Sequence, residues 1–213
     1  MKIKSLLSIL LLALSVSVFA AGLVNKTQAV TRSEATGHID TATFASGCFW
    51  CAEAKFSQLK GVLKVTAGYT GGHVAHPDYE LVCTGTTGHA EAFNVVYDSA
   101  VITYDELLEA FFLSHDPTEL NRQGNDFGTQ YRSAIFYHNK TQEQRALYYI
   151  RQFTEQRIYS RKIVTEVTAL TVFYEAEKSQ QDYYKKHPEQ GYCRYVIQPE
   201  LEKFKQIFKE KLK

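Results

Sequence analysis

The sequence predicts an α+β fold, with helices packed on a mixed β-sheet in a single domain. Runs typical of strands and of amphipathic helices follow in the order strand, helix, strand, strand, helix, strand, helix, with one more helix at the end. Removal of a leader over residues 1–20 would leave 193 of the 213 residues, which suits one domain. The 14 tyrosines and 13 phenylalanines supply enough apolar area for a core without disulfides.

The first twenty residues are typical of an export signal. Lys2 and Lys4 precede an apolar run that ends in Val18-Phe19-Ala20, and the small residues there fit cleavage after Ala20. The run is short for a membrane span, and an uncleaved anchor is the alternative. We therefore expect a periplasmic or secreted protein with a signal over 1–20, a polar tether over 21–40 and a catalytic domain over 41–213.

The charge balance excludes several kinds of partner. The leader holds two lysines and no acids, so 22 basic and 23 acidic residues remain after it. Such a balance gives no reason to expect nucleic-acid binding or stable membrane association once the signal is removed. We expect a monomer.

The first predicted strand, residues 41–46, runs through Gly47 into a helix, so Cys48 falls at a strand-to-helix junction. Two more strands are predicted over 62–69 and 89–97. Alternation along the second of these places Glu91, Phe93, Val95 and Tyr97 on one face.

Three further helices and one strand complete the predicted order. The helices begin at a capping box Thr103-x-x-Glu106, at a second box Thr141-x-x-Gln144, and after Pro199, and the strand covers 132–138. Their predicted core faces are, in order, Leu107, Leu108, Phe111 and Phe112; Leu147, Ile150 and Phe153; and Leu201, Phe204, Phe208 and Leu212.

Cys48-Phe49-Trp50-Cys51 is the motif that most directly indicates chemistry. A helix N-terminus favours the thiolate, so Cys48 is a candidate nucleophile. Phe49 and Trp50 are either core residues or an apolar pocket for a small uncharged group such as a methyl. A thioredoxin-like dithiol is one alternative. A zinc site is less favoured because no second Cys-x-x-Cys exists, and a structural disulfide between Cys83 and Cys193 stays open.

Candidate acids and hydroxyls lie on the third strand and in two loops. If the face of Glu91 is buried, its carboxyl keeps its proton and can act as a general acid; otherwise it is solvated or paired with a base. The segments 68–88 and 115–131 hold seven of the 12 glycines, which is typical of functional loops. They contain Tyr79, a possible donor, and Asp126 and Tyr131, which either brace the loop or act in catalysis.

Three stretches together resemble one known family. Gly47-Cys48-Phe49-Trp50, residues 85–91 and residues 121–133 are similar to the peptide-methionine sulfoxide reductase family, type A, over roughly residues 43–205. The resemblance implies a ferredoxin-like fold and reduction of the S epimer of methionine sulfoxide, free or in proteins. It assigns the nucleophile to Cys48, the methyl-binding pair to Phe49 and Trp50, the acid to Glu91, and the supporting oxygens to Tyr79, Asp126 and Tyr131.

The resemblance also implies a catalytic cycle with no metal or organic cofactor. Cys48 becomes a sulfenic acid, a second thiol condenses with it, and a thioredoxin-type dithiol reduces the disulfide. The family frequently has glycine at position 51, where this chain has cysteine. We favour Cys51 as the resolving thiol, with Cys193 as the alternative or a second relay, and we expect Cys83 to be a packing residue.

Overall fold

The structure is a computed structural model that describes residues 38–213. The predicted signal and nearly all of the predicted tether lie outside the described residues. Within residues 38–213, no helix is long and apolar enough to cross a membrane.

A six-stranded mixed sheet carries the fold, with strand order β7-β6-β1-β3-β2-β8. Its strands are β1 (Ile39–Ser46), β2 (Val62–Thr70), β3 (Ala90–Asp98), β6 (Ser133–Tyr137), β7 (Glu166–Ala169) and β8 (Phe173–Glu175). A separate two-stranded hairpin consists of β4 (Arg122–Gln123) and β5 (Asp126–Phe127). The pair β6 and β7 is parallel, whereas β1 pairs antiparallel with β3 and β6, and β2 pairs antiparallel with β3 and β8.

Six α-helices accompany the sheet within the described residues 38–213. They are α1 (Phe49–Phe56), α2 (Tyr79–Cys83), α3 (Tyr104–Leu113), α4 (Lys140–Glu155), α5 (Tyr183–Lys186) and α6 (Gln198–Ile207). A π-helical turn, Cys193–Ile197, leads directly into α6, and short 3-10 turns cover Thr129–Tyr131 and Lys209–Lys211. The predicted mixed sheet with helices is confirmed; α2, α5, β7, β8 and the hairpin were not predicted.

The main core lies where α1, α3 and α6 meet one face of the sheet. Phe44 of β1 stacks on Phe111 of α3 with ring centroids 5.0 Å apart, and Phe56 of α1 lies 4.9 Å from Phe93 of β3. A smaller cluster of Ala45, Ala90, Ala92, Ala134 and Phe136 covers the other face. Since both faces are covered at the start of β3, Ala90, Glu91 and Ala92 are all buried.

The predicted helix starts are confirmed in one case and wrong in another. Thr103 and Glu106 form the complete capping box of α3. The box at Thr141 is wrong, because the Asn139 side chain caps α4 instead, accepting a bond from the Gln142 N–H at 3.0 Å. An asparagine just before the helix satisfies a free N–H group and competes with the threonine for the cap position.

Two predicted core positions also change. Leu147 is 51% exposed, and the buried residue on that helix face is Ala146, with Ile150 and Phe153 packed partly buried beside it. The buried stripe of α4 therefore runs through Ala146, Ile150 and Phe153. Helix α6 ends at Ile207, so Leu212 lies beyond the helix. It reaches the core through an isolated β-bridge with Leu59.

Candidate active site

The turn between β1 and α1 places Cys48 at the helix start, as predicted. Gly47 has φ of +87°, and a Cβ added there would lie 2.6 Å from Cβ of Gln123. Glycine alone fits both the left-handed backbone and this close approach. Cys48 is the N-cap residue of α1, and it is only 7% exposed.

The electrostatic environment of Cys48 differs from the prediction. Burial raises the pKa of the Cys48 thiol well above its usual value, and Cys51 and the charge of Glu91 raise it further, while the nearby Tyr192 hydroxyl lowers it. The N–H of Phe49, the first of the helix, is donated to Glu91. The expected preference for the thiolate is therefore wrong, because desolvation outweighs the helix N-terminus.

Glu91 lies on β3 beside the start of α1. Its carboxyl is 1% exposed, and Oε2 accepts the Phe49 N–H at 3.0 Å. Burial raises the pKa of Glu91 to about 8, against the Phe49 hydrogen bond, and the charge of Asp126 raises it further. Of the two alternatives for Glu91, the structure has the buried one, and the carboxyl is predominantly protonated at neutral pH, in the form required of a proton donor.

Three aromatic side chains next to Cys48 pack against one another, and we call this set the aromatic pocket: Phe49, Trp50 and Tyr79. The Tyr79 ring lies 6.2 Å from Phe49 and 5.9 Å from Trp50 between centroids, stacked on both. Tyr79 is the first residue of α2, and its N–H donates to Oε1 of Glu177 at 2.8 Å. Phe49 is fully buried and Trp50 partly exposed, so the pocket opens towards solvent along the indole.

Asp126 and Tyr131 come to the site from the loop over 115–131. Asp126 lies on β5, where Oδ2 accepts a 2.5 Å hydrogen bond from the Tyr192 hydroxyl. Tyr131 ends a 3-10 turn; burial raises its pKa, and the nearby charges of Glu91 and Cys48 add to the effect. Thr129 donates to the Gly85 carbonyl at 3.4 Å, the bracing expected of such a loop.

Three of the four cysteines share one buried cluster. Cys48, Cys51 and Cys193 pack together with Ile197, and Cys193 is fully buried. All four thiols are free, so Cys83 and Cys193 are not paired. The prediction that Cys83 packs in the interior is wrong, because α2 turns its side chain to the surface.

Sequence reasoning missed three residues of the site. Tyr192 contacts Asp126 and lies 3.9 Å from Sγ of Cys51, while the Tyr183 ring stacks on Trp50 at 3.7 Å and 7° between planes. Oε1 of Gln180 accepts a 3.2 Å bond from the Trp50 indole. Tyr192 could have been found from the sequence, because it directly precedes the candidate thiol Cys193. No sequence pattern distinguishes Tyr183 from the other tyrosines.

The arrangement brings together a nucleophilic sulfur, a protonated carboxyl, an apolar aromatic surface and two further thiols. Such a set can take an oxygen atom from a substrate onto sulfur and then store the oxidation as a disulfide. Within residues 38–213, no group of three or more His, Cys, Asp or Glu side chains is arranged to hold a metal ion.

Comparison with known proteins agrees with this chemistry. The family model described as peptide methionine sulfoxide reductase matches residues 40–212. The chain is 53% identical over 175 residues to the peptide methionine sulfoxide reductase MsrA of Saccharolobus solfataricus, covering 82% of this chain and 98% of the relative. It is 51% identical over 174 residues to the MsrA of Thermus thermophilus, covering 82% and 98%.

Solved structures agree at lower identity. Methionine sulfoxide reductase A of Corynebacterium diphtheriae superposes with a TM-score of 0.66 and 36% identity, covering 74% of this chain and 79% of that one. Reduced Mxr1 of Saccharomyces cerevisiae superposes with a TM-score of 0.67 and 33% identity, covering 73% and 89%. The chain belongs to the peptide methionine sulfoxide reductase family and is a thiol-dependent methionine sulfoxide reductase of the MsrA type.

Proposed function

We propose that the chain reduces the S epimer of methionine sulfoxide, free or in proteins, with Cys48 as nucleophile and Glu91 as proton donor. The observation that carries this proposal is the buried Glu91 carboxyl, protonated at neutral pH and hydrogen-bonded to the helix start that bears Cys48. Tyr79, Asp126 and Tyr131 assist around the sulfoxide oxygen.

The first step transfers one oxygen atom. The Cys48 sulfur attacks the sulfoxide sulfur while Glu91 protonates the oxygen, which gives a covalent adduct. The hydroxyl then moves from the substrate sulfur to the Cys48 sulfur as the bond between the two sulfurs breaks, so methionine leaves and Cys48 becomes a sulfenic acid. The thiol proton of Cys48 restores Glu91, so thiol and sulfoxide give sulfenic acid and methionine with atoms and electrons in balance. Because burial raises the pKa of Cys48, proton loss has to accompany substrate binding.

Epimer choice follows from two fixed positions. The aromatic pocket takes the methyl group, and the carboxyl of Glu91 takes the oxygen. With both substituents placed, only one configuration at sulfur directs the rest of the methionine chain towards solvent. Phe49 and Trp50 offer the apolar surface that a methyl group requires.

We assign the resolving step to Cys51 and a second exchange to Cys193. A charge on Cys51 raises the pKa of both Cys48 and Cys193, which supports a position between the two. Cys48 has non-helical φ and ψ of −57° and 124° as the N-cap residue, which gives the pair Cys48 and Cys51 more freedom than two thiols inside a helix. Cys51 condenses with the sulfenic acid and releases water; the Cys193 thiolate then attacks Cys51, forming the Cys51–Cys193 disulfide and freeing Cys48.

We further propose a thioredoxin-type dithiol as reductant, export through the leader, and a monomer. A disulfide that includes Cys193 lies in a C-terminal segment that reaches the surface at Arg194 and Tyr195, which supports reduction by an external protein.

We also infer that the fold is ferredoxin-like. The elements β1, α1, β2, β3, α3 and β6 follow the β-α-β-β-α-β order, apart from the short helix α2. The spatial order β6-β1-β3-β2, with antiparallel neighbours throughout, supports this assignment.

The test uses the two separated epimers of methionine sulfoxide with purified protein and dithiothreitol. We expect loss of the S epimer and persistence of the R epimer; persistence of both would overturn the proposal. An insulin reduction assay addresses the alternative of a general dithiol oxidoreductase, for which turnover should exceed that with the sulfoxide.

A further inference from the structure

We propose that Gln180 and Tyr183 are positioning residues that hold the Trp50 indole as one wall of the aromatic pocket and thereby set the affinity for substrate. This inference rests on the proposed function, in which Trp50 binds the methyl group. It assigns a role to the segment over 180–183 that is separate from thiol chemistry.

Both degrees of freedom of the Trp50 side chain are constrained by this segment. The Tyr183 ring lies 3.7 Å from the indole, with only 7° between the planes, and this stack fixes the plane. The hydrogen bond from the indole Nε1 to Oε1 of Gln180, at 3.2 Å, fixes the rotation within that plane. Trp50 stands in the first turn of α1 and is partly exposed, so its own helix leaves several rotamers open.

The stack also determines which face of the indole a substrate can use. A ring at 3.7 Å leaves no space for a methyl group, so Tyr183 fills one face completely. Phe49 lies 6.2 Å from the indole and Tyr79 lies 5.9 Å from it. The face of the indole that Tyr183 does not cover is therefore the one expected to receive the methyl group.

Tyr183 is itself held in place by α1. Burial raises the pKa of the Glu53 carboxyl, which lies one turn after Trp50 and is 6% exposed, and the nearby backbone N–H groups of Asp182 and Tyr183 oppose this rise. Asp182 has φ of +51°, a left-handed conformation that a non-glycine residue adopts only when its surroundings enforce it. The hydroxyl of Tyr183 donates to Oε1 of Gln190 at 2.7 Å.

The strand β2 anchors the same segment. The Gln181 side chain accepts the Ala67 N–H at 3.0 Å and donates to the Ala67 carbonyl at 2.9 Å, as a neighbouring strand would. A second bond from Gln181, to the Ala176 carbonyl at 2.9 Å, closes the turn. The ring that supports Trp50 is thus fixed from both α1 and β2, which is the rigidity that a positioning residue needs.

Loss of this support lets the indole leave its pocket orientation, and affinity falls by the fraction of molecules in the binding orientation. Removal of one aromatic stack corresponds to roughly a two- to tenfold rise in KM. Tyr183 also packs against the cluster that holds the three buried thiols, but neither residue supplies a group to the proposed chemistry of Cys48 and Glu91, so the rate at saturation should hardly change.

The experiment compares Tyr183→Leu and Gln180→Leu with Tyr183→Phe, which keeps the stack, and with Tyr195→Leu as control. Tyr195 belongs to the same C-terminal region and is 79% exposed. Steady-state rates with methionine sulfoxide and dithiothreitol give KM and kcat separately. Trp50 is the chain's only tryptophan, so its fluorescence reports the indole environment directly.

We expect a higher KM, a nearly unchanged kcat and a red-shifted emission in both leucine variants at positions 180 and 183, with values close to wild type in Tyr183→Phe and Tyr195→Leu. A lower KM in Tyr183→Leu would overturn the inference, because Tyr183 would then cover the face that the substrate needs. Unchanged KM and emission in Gln180→Leu and Tyr183→Leu would also overturn it, and Gln180→Leu decides alone if Tyr183→Leu does not fold.

Measurements on Trp50→Ala distinguish failure of the proposed function from failure of the positioning inference. If Trp50→Ala leaves KM unchanged, Trp50 does not bind the methyl group, whatever the result at position 183. If Trp50→Ala raises KM while Tyr183→Leu changes neither KM nor emission, Trp50 keeps its proposed role and the positioning inference is wrong.

Discussion

The backbone N–H of Phe49 donates a 3.0 Å hydrogen bond to Oε2 of Glu91, which joins the helix that begins after Cys48 to strand β3. The acid and the nucleophile are therefore held by one rigid connection between two elements of the core. The same bond stabilises negative charge on Glu91, yet burial dominates and its pKa rises to about 8. The site thus stores a proton where the sulfoxide oxygen is expected.

Glu91→Gln should keep the hydrogen bond and remove the proton. The amide oxygen can still accept from Phe49, whereas the amide cannot act as an acid, so we expect single-turnover reduction at neutral pH to slow by roughly 10²–10⁴-fold. In the wild type, the part of the rate that depends on this proton should fall as pH rises through about 8. The exposed Glu175→Gln variant is the control and should react at the wild-type rate.

The same substitution predicts a pH-dependent change in stability. The folded pKa of Glu91, about 8, exceeds the usual value of 4.5 for a glutamate, so the folded state binds more protons than the unfolded state between these values. The contribution of Glu91 to the free energy of unfolding is therefore fully present below pH 4.5 and is lost as pH rises to about 8.

The glutamine side chain of this variant does not titrate, so Glu91→Gln does not lose stability in this window as the wild type does. The free energy of unfolding of Glu91→Gln relative to wild type should therefore increase with pH, by on the order of a few kcal/mol. Urea denaturation at several pH values measures the difference. A difference that stays constant with pH would mean that the folded-state pKa is not raised.

Those parts of the site that depend on local pattern were predictable from sequence. Alternation along β3 placed Glu91 on one face with Phe93 and left its burial open, and Gly47 before Cys48 predicted the strand-to-helix turn. The protonation of Cys48 was not predictable in the same way. A helix N-terminus and burial act in opposite directions on a thiol pKa, and only the packed structure determines which effect is larger.

Contacts between distant segments were likewise beyond the sequence. Tyr192 meets Asp126 across 66 positions, and Gln180 meets Trp50 across 130 positions. Both belong to short irregular elements without helical or strand periodicity. The prediction of Thr141 as a cap was wrong for a local reason. Asn139 and Thr141 are both residues that can cap a helix, and only the observed backbone geometry shows that Asn139 does so.

Gly47→Ala should be destabilising and should also impair catalysis. Its φ of +87° is unfavourable for alanine, and the added Cβ would lie 2.6 Å from Gln123 Cβ, so the turn before Cys48 must shift. We expect about 1–3 kcal/mol lower free energy of unfolding, measured in urea, with a lower single-turnover rate. Gly191→Ala is the matched control, because nothing lies within 4 Å of a Cβ at that position.

Tyr192→Phe should make Cys48 less reactive towards alkylation. The nearby Tyr192 hydroxyl lowers the pKa of the Cys48 thiol, against the stronger effect of burial, so its removal should raise that pKa further. Mass spectrometry of the Cys48 peptide after timed exposure to iodoacetamide, across a pH series, gives the midpoint. We expect it to move to higher pH in Tyr192→Phe and to stay in place in the exposed control Tyr195→Phe; a downward movement would contradict the assignment.

The order of thiols in the catalytic cycle gives the last prediction. Without reductant, Cys193→Ser should contain a disulfide between Cys48 and Cys51 after one turnover. In the wild type, exchange should convert this disulfide into one between Cys51 and Cys193, because Cys51 is the neighbour of both other buried thiols. Cys51→Ser should still release one equivalent of methionine and accumulate the sulfenic acid, which dimedone traps at Cys48. Turnover with a thioredoxin-type dithiol should then be slow in Cys51→Ser.

Cys83→Ser is the matched control, since Cys83 is exposed and outside the thiol cluster, and its turnover should equal that of wild type. Peptide mapping of the oxidised wild type and variants distinguishes the alternatives. A disulfide between Cys48 and Cys193 that forms in Cys51→Ser, with normal turnover, would transfer the resolving role to Cys193. A disulfide between Cys48 and Cys51 that stays in the oxidised wild type would instead remove Cys193 from the relay, because Cys48 would then wait for the external dithiol before it could attack a second substrate.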